Sequence, residues 1–242
     1  MNKKIKRYLT ISYYLRKFFS IKLLKYIFDQ NFIRKKIFKY IYNSGYWIDY
    51  NLSSHQSRSG KGSNLENALH LQNSLKIFFK KNKIRKIIDI GCGDFNWMKN
   101  LLKDVEYESY LGVDIVDSLI DQNTLRYGNE KNKFVSKDIV KDDLSFIEKS
   151  DFILIRHVFI HLDNSSINKI INKIKNLDFK YLGITSDPKI LKNINLKTEG
   201  RFREINLTIE PFNLNKNYEI INESKNGILD NVNMNVYHLR LN

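Results

Sequence analysis

From Lys83 onward the chain alternates short apolar runs with amphipathic stretches, and this rhythm leaves few architectures open. The runs Ile87–Ile90, Tyr110–Val113, Phe134–Val135, Phe152–Ile155 and Tyr181–Ile184 suit strands buried on both faces of a parallel sheet. Candidate helices lie between several of them, at Trp97–Lys103, Ser118–Tyr127 and Ser165–Asn176. Such a βαβ succession predicts a mainly parallel sheet with helices on both faces. The tail breaks the rhythm. Tyr218–Glu223 and Met234–Leu241 read as two strands joined by a loop carrying Gly227, so the sheet is expected to end in an antiparallel hairpin.

Upstream, Asn64–Lys80 reads as a helix with Leu65, Ala68, Leu69, Leu75, Ile77 and Phe78 as candidate buried positions. Residues 1–45 form a separate region in this reading, a basic amphipathic helical extension, with the domain proper running over 46–242. Of the net charge of +15, residues 1–40 carry +11, from twelve Lys/Arg against Asp29 alone. The remaining 202 residues carry only +4, so the charge gives the domain itself little reason to bind nucleic acid. The spacing of Ile5, Leu9 and Tyr13, and of Ile21, Leu24 and Phe28, is near-helical but forms no single clean stripe. Such a segment can lie on an anionic membrane surface or pack on its own domain. The Lys, Asn and Ile bias of the whole chain gives the basicity a bland source as well. One cysteine, Cys92, excludes an internal disulfide framework and suits a reducing cytoplasm. No secretory signal is read at Met1–Arg7, and no apolar run approaches the roughly 20 residues that span a bilayer. The expected location is cytoplasmic, with the basic segment as a peripheral contact to the inner face of the membrane.

The chemistry concentrates at Asp89-Ile90-Gly91-Cys92-Gly93-Asp94. An acid closes the first strand, and glycines follow at positions where a Cβ would block the backbone or a ligand. In a doubly wound sheet this turn sits at the carboxyl edge, where ligands bind. A nicotinamide-binding G-x-G-x-x-G would need a third glycine, and Asn96 stands in its place. Two further acids follow in order. Asp114 ends the second strand, placed to accept both hydroxyl protons of a ribose, with Ile115 beside it. Asp138 follows the third strand, placed for an adenine amino group, with Ile139 offering a backbone N–H and an apolar face. Alone, each Asp could be a helix cap or turn residue. Three acids at three successive strand ends point to S-adenosylmethionine as the cofactor.

The chain resembles bacterial class I methyltransferases associated with surface-polysaccharide (capsule or O-antigen) gene clusters. The resemblance rests on Tyr46-Trp47, Ser59-Gly60-Lys61-Gly62-Ser63, Gly91-Cys92-Gly93-Asp94-Phe95-Asn96-Trp97-Met98 and Tyr110-Leu111-Gly112-Val113-Asp114-Ile115-Val116. It continues in Arg156-His157-Val158-Phe159-Ile160-His161-Leu162, Arg203-Glu204-Ile205-Asn206-Leu207 and Pro211-Phe212-Asn213-Leu214. It covers about residues 46–242 and implies a Rossmann-like class I methyltransferase fold with a seven-stranded sheet. It further implies that Arg58, with Ser59 and Gly60, forms a lid over the cofactor, with Trp47 as an apolar wall. Where the general class has a third glycine this chain has Phe95, which suggests that Phe95 or Trp97 shapes the methionine pocket.

A methyl donor activated by its sulfonium charge asks the protein to align an acceptor, exclude water and remove a proton from a hydroxyl. His161, after the fourth strand, is the favoured base, because imidazole suits proton removal near neutral pH. Its alternative is a packing role under Leu162. His157 and His161 form H-x-x-x-H, but Val158-Phe159-Ile160 lacks the glutamate of a zinc-protease motif and no third ligand is near, so no metal is expected. Arg156 can grip a carboxylate bidentately. No D/N-P-P-Y follows the fourth strand, which favours O-methylation over attack by a planar nitrogen. Arg203 and Asn206 are candidates for gripping the acceptor, or for securing a loop. The leading expectation is O-methylation of a sugar or phosphate-bearing unit of a surface glycan. The alternatives are an RNA or other small-molecule methyltransferase, and a membrane-surface scaffold that retains the cofactor fold.

Overall fold

The computed structural model describes residues 30–48, 57–223 and 233–238. The apolar positions of residues 5–28 lie outside these segments. Seven strands form one sheet in the order β3-β2-β1-β4-β5-β7-β6. They are β1 (Lys86–Ile90), β2 (Ser109–Asp114), β3 (Asn132–Ser136), β4 (Ser150–Ile155), β5 (Phe179–Ser186), β6 (Tyr218–Asn222) and β7 (Asn233–His238). β1 to β5 pair in parallel, while β7 runs antiparallel between β5 and β6. The expected mainly parallel sheet with a closing hairpin is what the chain forms.

The apolar runs become central strands because they are covered on both faces. Ile153, Leu154 and Ile155 of β4 are all fully buried. On one face lie α1 (Gln30–Ser44) and α5 (Asn164–Ile174), with Ile205, Leu207, Phe212 and Leu214 from the long segment between β5 and β6. On the other lie α2 (Leu65–Asn82) and α3 (Met98–Lys103). The helix α4 (Asp117–Tyr127) gives Leu119 to the first layer and Ile120 to the second.

Two expectations need correction. α2 buries Ala68, Leu71, Gln72, Leu75, Phe78 and Phe79, a stripe of helical period, whereas Leu69 and Ile77 are 55% and 71% exposed. Hydrophobicity alone drew those two inward, although the helical period places them on the outer face. The second concerns residues 30–44. α1 packs against its own domain, burying Ile33, Ile37, Phe38, Ile41 and Tyr42 in the same cluster as β4 and α5.

The chain direction places the site. β1, β2 and β3 run outward to one side, and the chain then returns to lay β4 on the other side of β1. The segments leaving the carboxyl ends of β1 and β4 therefore diverge, and a crevice opens between them. α5, which follows β4, is started by Asp163, whose carboxylate accepts from Ser166 N at 2.7 Å. Asp163→Ala is expected to cost about 1 kcal/mol of stability, read as a lowered urea midpoint with unchanged slope.

Candidate active site

At the end of β1 the backbone turns sharply. Gly91 has φ +79°, and a Cβ there would come within 2.2 Å of Val158 Cγ2. The N–H groups of Gly91 and Cys92 both donate to Val113 O, at 2.7 and 3.1 Å, and Gly93 N donates to Asp114 Oδ2 at 3.1 Å. The first turn is thereby sewn to the end of β2. Val116 N holds the other oxygen of Asp114 at 3.0 Å. Burial pushes the Asp114 carboxyl up to about 6, against the pull of these backbone donors.

A cavity of about 710 Å³, mouth included, opens above this turn. Its floor and sides include Gly91, Asp114, Ile115, Asp138, Ile139 and Arg156, and His157 and His161 close one end. Trp47 and Ser59 form part of the cover. These ten predicted residues are brought together. Gly60 borders the adjoining cavity instead, with φ +97° where the chain passes Trp47.

Several predicted cofactor contacts lie behind the wall. Asp89 faces away, accepting from Tyr110 Oη at 2.8 Å, and burial raises its carboxyl to about 7. Cys92 is buried beneath the turn, its thiol pushed up by burial. Gly93 is a hinge of the turn, with φ +57°. Asp94 accepts from Ser57 Oγ, Arg58 N and Ser59 Oγ, so it anchors the cover and does not face the cavity. Trp97 lies under the Arg156 guanidinium, 5.0 Å from its ring centre. Nor does Phe95 shape the methionine pocket. It takes φ +58°, as a glycine would, and its ring packs on Tyr110, Tyr127 and Phe134. Each of these contacts stabilises the turn from below.

A second cavity adjoins the first. It is lined by the aromatic residues Tyr46, Trp47 and Phe202 and the charged residues Lys61, Asp187, Arg201 and Glu204. His161 belongs to both cavities and stacks on Trp47, with ring centres 4.5 Å apart. Its Nδ1 is 3.0 Å from Arg201 O, and a carbonyl can only accept, so Nδ1 carries the hydrogen and Nε2 keeps its lone pair. Burial lowers the ring to about 4, leaving it neutral at physiological pH.

His157 stands at φ +56° in the bend after β4. The H-x-x-x-H motif is therefore not on one helical face, and no metal-binding cluster occurs among the described residues. Its Nε2 lies 3.0 Å from Glu223 Oε2, and burial is the larger of the effects that lower its ring. Glu223, fully buried, also accepts from Arg156 Nε at 2.8 Å, and its carboxyl is held down to about 2 mainly by Arg156 and His157 against the opposing effect of burial. Sequence reasoning missed Glu223, because only the sheet brings β6 beside residues 156 and 157. It also missed Arg34, Phe38 and Tyr42, which α1 adds to the cofactor cavity.

Arg203 and Asn206 do not reach the acceptor cavity. Arg203 donates to Ile194 O, Phe159 O and Asn164 Oδ1, and Asn206 donates to Ile190 O while its Oδ1 accepts from Thr208 N. Their polar groups are committed to fixing the loop, which was the other reading of both.

With this geometry in place, the comparisons with known proteins can be read. Residues 87–177 match the family model of a methyltransferase domain. That match spans 91 of the chain's 242 residues and makes this part of it similar to a methyltransferase domain. S-adenosylmethionine is the cofactor of that domain. The residues present fit it: a buried carboxylate stands at each of the second and third strand ends, beside a turn with no room for a side chain. A search of curated proteins finds no match. Among solved structures, the methyltransferase domain of bacterial CtHen1 is 19% identical, covering 73% of this chain and 100% of that one with a TM-score of 0.54. Magnesium protoporphyrin IX methyltransferase from Synechocystis, with bound SAM, is 14% identical over 86% of this chain and 96% of that one, with a TM-score of 0.54. An S-adenosylmethionine-dependent methyltransferase from Clostridium acetobutylicum is 13% identical over 72% and 92%, with a TM-score of 0.50. At these identities the likeness is one of fold.

Asp114 gives the site a pH signature. Ribose hydroxyls donating to its ionised form would hold its pKa below the value of about 6 to which burial raises it without ligand. Affinity for S-adenosylhomocysteine is then full above pH 6 and falls as pH drops through it, by up to about tenfold per unit. Asp114→Asn should flatten this limb, and Asp114→Ala should weaken binding strongly at pH 8, both measured by calorimetry. An unchanged affinity in the alanine variant would remove Asp114 from the cofactor site.

Proposed function

We propose that the protein transfers a methyl group to a hydroxyl oxygen of a sugar or phosphate-bearing precursor of a surface glycan. The observation that carries this reading is the position of His161. The residue lines both the cofactor cavity and a second cavity of suitable chemistry, and its Nε2 keeps the lone pair. Tyr46, Trp47 and Phe202 offer flat apolar faces for a sugar ring, and Lys61, Arg201, Asp187 and Glu204 give the same wall polar groups of both signs for its substituents.

When bound, the cofactor supplies an electrophilic methyl carbon and a neutral thioether as leaving group. The residues of this chain do the rest. Asp114 and Asp138 fix the nucleoside end, and Arg156 stands ready for the amino-acid carboxylate. Trp47 and the 57–63 segment exclude water. His161 Nε2 would accept the hydroxyl proton of the acceptor as its oxygen takes the methyl group. The imidazolium then loses its proton to solvent. Arg201 O steadies the ring through Nδ1 during both transfers. Tyr42, whose hydroxyl is 3.0 Å from Ser59 Oγ, braces the cover.

The membrane-surface proposal for the basic N-terminal segment stands beside this one. No helix among the described residues is long and apolar enough to cross a membrane. An RNA acceptor is the competing enzymatic reading, and its binding would fall steeply with salt.

Assaying S-adenosylhomocysteine release with nucleotide-activated sugars, phosphorylated glycan intermediates and short RNA tests the acceptor class. Turnover with RNA alone would overturn the sugar reading. His161→Ala is expected to lower kcat by about 10²- to 10⁴-fold while leaving cofactor affinity within about twofold. Because the ring titrates at about 4, kcat/KM should show no acidic limb from His161 between pH 6 and 8.

A further inference from the structure

Arg34 is a buried cation on a segment that the family resemblance does not cover. Its guanidinium is divided between two functional regions. Nη1 donates to both oxygens of Asp138, at 3.1 and 2.8 Å, at the adenine end of the cofactor cavity. Nε donates to Glu199 Oε2 at 2.8 Å, and Nη2 to Ser166 Oγ at 3.2 Å. Ser166 Oγ in turn donates to Glu199 Oε1 at 2.7 Å. One cation thus serves two carboxylates, with about a tenth or less of each side chain exposed.

Glu199 is the first residue of the segment that walls the acceptor cavity through Gly200, Arg201 and Phe202. That segment is fastened to the base. Gly200 N donates to His161 O at 2.8 Å, Arg203 N to Ile160 O at 3.1 Å, and Arg201 O receives the His161 ring. It also rests on α1. Gly200 has φ +82°, and a Cβ there would come within 2.7 Å of Ile37 Cγ2 and Ile41 Cδ1.

We propose that Arg34 is a positioning residue that couples cofactor binding to the placement of the acceptor loop and, through it, of His161. The physical route is competition for one charge. In the ligand-free site Asp138 and Glu199 share the guanidinium. When an adenine amino group donates to Asp138, the pull of that carboxylate on Arg34 weakens and the pairing with Glu199 tightens. The loop's existing hydrogen bonds to residues 160 and 161 are thereby strengthened before the acceptor is engaged. By linkage, loosening the Glu199 end must also cost cofactor affinity. This inference rests on the methyltransferase reading of the cofactor cavity and assigns that site an ordering of its two ligands.

Hydrogen exchange of the full chain with and without S-adenosylhomocysteine tests it. In the parent protein, ligand binding should slow exchange of the Gly200 and Arg203 amides at least about fivefold, the lower end of ordinary coupling between sites. Arg34→Gln should abolish the slowing at these two amides while the ligand still protects Gly93. Glu199→Gln breaks only the loop side of the pair and leaves the Asp138 contact intact. It should abolish the same response with ligand affinity reduced by less than tenfold, and it serves where Arg34→Gln fails to fold. Binding without slowed exchange at residues 200 and 203, or slowing that persists in Glu199→Gln, would overturn the coupling and leave the cofactor reading standing. Failure of the parent protein to bind S-adenosylhomocysteine would overturn both.

Discussion

The active-site region depends on the stitching of two strand ends. Val113 O accepts from Gly91 and Cys92, and Asp114 accepts from Gly93, so the β1 turn and the β2 end are one rigid unit. That unit fixes where a ribose can sit and how deep the floor lies. Its glycines are needed for space as well as for conformation, because Val158 from the β4 side fills the volume beside Gly91 and Ser59 from the cover fills that beside Gly93. Burial of Asp114 is the counterweight. A carboxylate held by backbone donors in a dry wall is poorly solvated, and a ligand offering two hydroxyl protons relieves that cost.

What the sequence made legible follows from periodicity and from spacing. The central strands are short, largely buried runs, and each strand was visible to within about two residues. The exception was the last, whose expected end passes beyond the described segment. The acids at 89, 114 and 138 share a strand-end position, but they do not share a role. Asp114 and Asp138 face the cavity, while Asp89 turns to Tyr110. Strand ends can be read from a pattern; the direction of a carboxylate is decided by the partner it finds. Trp97 and Phe95 failed for the same reason. A rare aromatic beside a glycine turn looks like a pocket wall, yet both rings serve the packing beneath it.

The residues that no pattern disclosed are those delivered by long-range topology. Glu223 directly follows β6, yet it holds Arg156 and stands beside His157 after β4. Nothing near residue 223 in the sequence announces that role. Arg203 and Asn206 show the converse, since polar side chains in the expected region turned out to hold a loop that lacks regular structure. Backbone carbonyls in such a loop need donors, and these two side chains supply several.

The cover of the cofactor cavity is assembled from distant parts of the chain. Arg34 meets Asp138 across 104 residues and Glu199 across 165, and Arg156 meets Glu223 across 67. Contacts of such separation carry a large loop-closure cost and are slow to form. The sheet can therefore register its parallel strands well before the cavity has a roof. A nascent chain would present the turn and its acids early, whereas Arg156 would gain its carboxylate only once residue 223 had been made. In this protein the cation beside the turn waits on a partner made 67 residues later.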